Sequence, residues 1–179
     1  MQLSRALVAG AGLLLWAGTA SAQTTGFRAA VLQDVSNIEG KYVALAEAMP
    51  ASAMTWRPGE GVRSVSEVLM HVAGANFMLT NFIGVAPPDN TPPRDAETTW
   101  VDQERVLPAL KASFAHLRAA IEQTPDADLQ KPIKMFGQDH TIESALLLMD
   151  NHLHEHLGQL IAYARSNDIT PPWSRAAGD

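Results

Sequence analysis

The stretch Thr141-Ile142-Glu143-Ser144-Ala145-Leu146-Leu147-Leu148-Met149-Asp150-Asn151-His152-Leu153-His154-Glu155-His156-Leu157-Gly158-Gln159-Leu160-Ile161-Ala162-Tyr163-Ala164-Arg165-Ser166-Asn167 decides the fold. Ile142, Ala145, Met149, Leu160 and Tyr163 recur at three-four spacing, with His152 and His156 on the same line. That is the period of an amphipathic helix. Thr141 stands at the N-cap position and the pattern ends near Asn167. A helix of this kind must bury one face against others.

The partners lie upstream. From about Gly26 to Met49, Phe27, Val31, Val35, Ile38, Tyr42, Leu45 and Met49 form a second stripe, closed by Pro50. After a loop at Thr55–Gly61, the capping-box pattern Ser64-Val65-Ser66-Glu67 opens a helix running to about Gly84, with Val65, Val68, Val72, Leu79 and Ile83 as its stripe. A Pro-rich linker follows, from Ala86-Pro87-Pro88 to Pro92-Pro93-Arg94. The next pattern, about Thr98 to Gln123, carries Leu107, Leu110, Phe114, Leu117 and Ile121, and Pro108 within it predicts a kink or a later start. Between Thr124 and His140 the sequence predicts a connection with a turn at Gly137 and a short extended piece near Ile133 to Phe136. The expectation is an all-α protein, a four-helix bundle.

Three of the six histidines fall within five residues, at His152, His154 and His156. Residues four apart share a helix face, so His152 and His156 point together and His154 points away. Two imidazoles on an apolar face need partners, because an unpaired buried polar group costs about 1–3 kcal/mol. A divalent metal satisfies both at once; hydrogen bonds to buried side chains or carbonyls are the other solution. Candidates for a third ligand are His71, His116, His140 and the carboxylates. His71 sits at the edge of the second stripe and can face the pair from another helix. His116 lies off its stripe and reads as a solvated surface residue. His140 is about 18 Å from His152 along a helix axis, too far to share an ion, and suits a loop or capping role. Glu155 reads as solvated. Glu67, four residues before His71, is claimed by the capping box rather than by the His71 ring. Asn76, Trp56 and Arg57 are polar candidates near the site, each with a plain alternative: a bond to a neighbouring helix, a lid on the bundle end, and solvation.

Bulk properties narrow the function. The chain has 179 residues, 13 basic against 19 acidic side chains and no cysteine. Arg5, the apolar run Ala6–Ala20 and the Ala20-Ser21-Ala22 site read as a secretory signal peptide, residues 1–22, cleaved near Ala22. Its removal shortens the 179-residue chain to 157 residues, and loss of Arg5 takes the formal charge from −6 to −7. Residues 23–179 suit a single domain, periplasmic or secreted. An acidic surface without a basic run argues against nucleic acid. No further apolar stretch is long enough to be an integral membrane span. Without cysteine, disulfides and thiolate ligands are excluded. The partners expected are a small-molecule substrate and, as an option, a second copy in a homodimer.

Together, Trp56-Arg57-Pro58, Arg63-Ser64, Glu67-Val68-Leu69-Met70-His71-Val72-Ala73, His152-x-x-x-His156-x-Gly158-Gln159 with Tyr163-Ala164-Arg165, and Asp168-Ile169-Thr170-Pro171-Pro172 resemble the DinB superfamily of DinB/YfiT-like metalloenzymes across essentially the whole mature chain. The resemblance implies an up-down-down-up bundle in which the Pro-rich linker is the crossover between helices 2 and 3. It implies one divalent metal, nickel or zinc, on His71, His152 and His156. It also implies a metal-dependent hydrolase or transferase, with metal-bound water or a substrate thiol as nucleophile. The family's thiol-dependent members use low-molecular-weight thiols that are chiefly cytoplasmic, which fits an exported chain poorly. Leu157, where many members carry arginine, and His154 depart from the family pattern. The alternative is a non-catalytic metal- or ligand-binding bundle.

Overall fold

The structure, a computed structural model, describes residues 26–175. The expected signal peptide lies outside the described residues. Four long helices share one hydrophobic core: α1 (Phe27–Ala48), α2 (Val65–Leu79), α4 (Gln103–Gln123) and α5 (Ile142–Ser166). A single turn, α3 (Ala96–Thr99), sits in the crossover, and a two-stranded antiparallel hairpin, β1 (Pro132–Met135) and β2 (Gln138–Thr141), precedes α5.

Side-chain pairs fix the directions. Lys111–Glu47, Arg118–Glu39 and Arg28–Asp126 run α4 antiparallel to α1. Asn76–Ser113 and Thr80–His116 run α4 parallel to α2. His71–His152 and Arg63–Tyr163 run α5 antiparallel to α2. The bundle is therefore up-down-down-up, and the Pro-rich segment between α2 and α4 is the crossover that two parallel neighbours require.

Local signals place the ends. Ser64 and Glu67 form a full capping box, as do Thr141 and Ser144, each answering otherwise unpaired first-turn N–H groups. α2 tightens into a 3-10 turn at Thr80–Ile83 and ends on Gly84 at φ 85°. The α4 pattern starts later than the stripe suggested: Thr98 and Thr99 belong to α3, Trp100 is extended, and Asp102 caps α4 by accepting from the Arg105 N–H. Pro108 thus falls in the second turn, where its ring removes a single backbone bond. The extended piece near Ile133 is β1, and the turn takes Phe136 and Gly137 at φ 52° and 81°, the positive pair of a type I′ hairpin. Phe136 is held there against Phe82, ring centroids 4.9 Å apart.

The core corrects one detail of α5. Its buried line is Ile142, Leu146, Met149, Leu153, His156, Leu160 and Tyr163, an unbroken four-three alternation. Leu153, rather than His152, holds the central position, under the Tyr42 hydroxyl, which donates to the Leu153 carbonyl at 2.7 Å. His152 is half-buried on the flank facing α2. Leu157 is packed in the core at 5 % exposure. Among the described residues no helix is long and apolar enough to cross a membrane.

Candidate metal centre

Because α2 and α5 are antiparallel neighbours, His71 on one faces His152 and His156 on the other. Each of the three offers a nitrogen within 4.8 Å of the others. The His71 and His152 Nε2 atoms are 3.2 Å apart, and the three ring centroids lie 4.5–5.2 Å from one another.

What surrounds the rings orients them. His71 Nδ1 is 3.3 Å from Glu97 Oε2, and Arg63 Nε donates to Glu97 Oε1 at 2.7 Å. His156 Nδ1 is 2.9 Å from Gln159 Oε1, the Gln159 amide donates to the Tyr163 hydroxyl at 2.8 Å, and that hydroxyl donates to the Arg63 carbonyl at 3.2 Å. Trp56 packs edge-on against the Tyr163 ring. A carboxylate or amide oxygen at Nδ1 selects the tautomer with its proton there, which leaves the Nε2 lone pair for the centre. Both chains of contacts meet at Arg63, one through its side chain and one through its carbonyl.

Two of the rings, His152 and His71, are also biased towards the neutral form. Burial pushes the His152 imidazolium down to about 4, helped by His156, His71 and Arg63 nearby. Burial lowers His71 as well, with Arg63 adding and Glu97 opposing. Neutral imidazoles are the ligating form. The donor set therefore fits a divalent transition metal: three nitrogens from two helices, two of the rings with their far sides anchored. His152 Nδ1 is buried without a protein partner, so of the three rings His152 is held least by its surroundings.

The remaining expected residues sort as follows. His154 is exposed on the opposite side of α5 and meets Asp34 of α1, Nε2 to Oδ2 2.6 Å, with Asp150 beside it. His140 Nδ1 lies 3.2 Å from the Ser144 hydroxyl at the α5 cap. Glu155 is exposed. Glu67 serves the cap, accepting from the Ser64 N–H at 2.7 Å and pairing with Arg57 at 2.9 Å, so Arg57 buttresses the α2 start. Asn76 donates to Ser113 of α4 at 3.1 Å. His116 is not a solvated residue: it is half-buried, with Nε2 2.8 Å from the Thr80 hydroxyl and its ring beside Phe77. Three neighbours of the rings were given no site role by the sequence analysis: Gln159 and Tyr163, which it quoted only within the motif, and Glu97. Gln159 and Tyr163 follow His156 by three and seven residues, a helical spacing that could have revealed them. Glu97 had no such signal, since its turn stands alone in the linker.

A helical bundle with a three-histidine cluster between two antiparallel helices defines the class. The sequence model of the DinB superfamily matches residues 37–160, and the chain belongs to that superfamily. Among solved structures, a DinB-like protein from Bacillus cereus ATCC 10987 superposes with a TM-score of 0.69 at 15 % identity, over 79 % of this chain and 93 % of that one. A DinB-like protein from Bacillus subtilis, YjoA, gives 0.63 at 22 % identity, over 79 % and 93 %. YfiT from Bacillus subtilis, a probable metal-dependent hydrolase with an unusual four-helix bundle topology, gives 0.63 at 18 % identity, over 80 % and 89 %. At these identities the likenesses speak for the fold. No curated protein matches the chain.

Proposed function

We propose that this chain is an exported metal-dependent hydrolase or transferase whose His71, His152 and His156 hold one divalent metal, nickel or zinc. The carrying observation is the convergence of three imidazoles from two helices, with Glu97 and Gln159 beside the outer nitrogens of two of them. His71, His152 and His156 would hold such a metal, and it would supply Lewis acidity towards water or a substrate donor. The likeness to YfiT supports the hydrolytic branch. Export rests on the sequence of residues 1–22.

The chain's own residues supply orientation and access. Glu97 and Gln159 hold two ring planes, and Arg63 holds Glu97. His71 lines a cleft of about 420 Å³ beside the crossover, and His152 lines another of about 400 Å³ with Leu147 and Glu155, so a small molecule can reach the rings from either side.

A second reading, a metal-binding bundle without turnover, has one observation in its favour: both Glu97 oxygens are committed, to Arg63 and to His71, so this carboxylate is not free as a general base. Elemental analysis of protein purified without chelators should find about one divalent metal per chain. Absence of metal, together with no thermal shift on adding nickel or zinc, sinks the proposal. Turnover of esters or amides by the loaded protein, abolished in His71→Ala, separates the enzyme from the binder.

A further inference from the structure

The face of α2 that begins at His71 continues along Gly74 and Met78 and on to Asn81 in the 3-10 turn, at spacings of three, four and three residues. These four form one wall of the 420 Å³ cleft, and the opposite wall is the Pro-rich crossover from Pro87 through Arg94 to Glu97. Gly74 lies in the interior of a helix, where glycine is the poorest residue after proline. It does not relieve a clash, because a Cβ built there meets nothing within 4 Å. What the missing side chain does is leave the cleft open one turn from His71. Met78, the next residue along that wall, is 44 % exposed and offers a flexible apolar surface that a ligand's chain can cover. Of the two charged side chains on the crossover wall, Glu97 is engaged by Arg63 and His71, while Arg94 makes no salt bridge among the described residues. The cleft thus has an apolar body, one uncommitted cation and an imidazole of the three-histidine cluster along its wall.

We propose that this cleft binds the substrate's apolar arm, and that the substrate is a small organic anion: an aliphatic or aryl chain whose negative group is met by Arg94, with its reacting group at the three histidines. The inference rests on the three-histidine reading for the reacting end but not for the binding of the arm. A volume near 420 Å³ belongs to a small-molecule site. Cationic substrates are disfavoured by Arg94.

The test uses metal-loaded protein and calorimetric binding of octanesulfonate, an anion that ligates metals poorly, beside butanesulfonate, octanol and octyltrimethylammonium. Octanesulfonate should bind at least tenfold more tightly than butanesulfonate, since four methylenes are buried, and at least tenfold more tightly than the octyl cation. Gly74→Leu, which fills the cleft floor, should weaken it tenfold or more with metal content unchanged. Met78→Asp, at an exposed position, should do the same without risk to folding. Arg94→Ala should bring octanesulfonate down to the level of octanol. Wild-type affinity in both Gly74→Leu and Met78→Asp, an octyl cation that binds as well as the anion, or no binding of any octyl compound would each overturn the proposal. Metal content measured on the same samples keeps the two readings apart. Cleft-dependent octanesulfonate binding by protein that takes up no metal defeats the three-histidine reading alone. Stoichiometric metal with no octyl binding defeats the cleft alone.

Discussion

At the scale of single residues, helix geometry separates neighbours that composition makes look alike. His152 and His154 are two residues apart, yet one faces His71 and the other Asp34. His152→Ala should therefore lower bound metal at least tenfold, while His154→Ala leaves it near wild type, read by elemental analysis after dialysis. Glu97→Gln keeps the shape but removes the charge beside the His71 ring, and losses of 10–100-fold in metal affinity are usual for such a partner; a competition titration with a coloured chelator reads it. The pH dependence follows from burial. In the folded metal-free protein the His152 imidazolium lies near 4, whereas an unfolded histidine titrates near 6.5. Between those values the unfolded chain binds the extra proton, so stability rises with pH across the window and is lost as pH falls from 6.5 towards 4. Urea midpoints of the metal-free protein should show this slope, and His152→Ala should flatten it. Much of the residue scale was legible: the i,i+4 pair, the outward middle histidine, the Glu67 cap. His116 and Glu97 were not, because their partners, Thr80 and His71, lie 36 and 26 residues away in sequence and neither belongs to a helical repeat that includes its partner.

At the scale of elements, apolar stripes and caps located all four long helices, while the α5 stripe alone left its rotation open by one position. Ala145 and Leu146, and His152 and Leu153, are adjacent choices for the same line, and only the neighbours decide. Leu153 is fully buried in the core, and His152 falls on the flank where α2 meets it. The α3 turn was hidden for a different reason: at four residues it is too short to show a period. Two ends are testable. Thr141→Ala removes the acceptor for the Ser144 N–H and should cost about 1 kcal/mol in urea unfolding. Gly137→Ala puts a Cβ at φ 81°, which should cost about 1–2 kcal/mol.

At the scale of the whole molecule, the topology that makes α2 and α4 parallel is what brings α3 beside His71: a chain that must travel the length of the bundle passes over the site. The core is continuous across the four helices, with the Tyr42 and Phe114 rings packed at a tilt of 49°, centroids 5.4 Å apart, between α1 and α4. A metal bound to α2 and α5 together stabilises only the assembled bundle. At free metal a thousandfold above the dissociation constant the gain is about 4 kcal/mol. Scanning calorimetry should show a clear drop in Tm on adding EDTA to the wild type, and none for His152→Ala.

His71 and His152 are 81 residues apart along the chain, and α5 is the last of the four long helices among the described residues. A nascent or truncated polypeptide that ends before residue 152 has one imidazole of the three. The site therefore exists only after the final helix has docked, and it meets whatever ions surround it at that moment. A metal taken up by the proposed site would in this sense be chosen by where the chain finishes folding, since three imidazole nitrogens take the ion that the surrounding pool supplies.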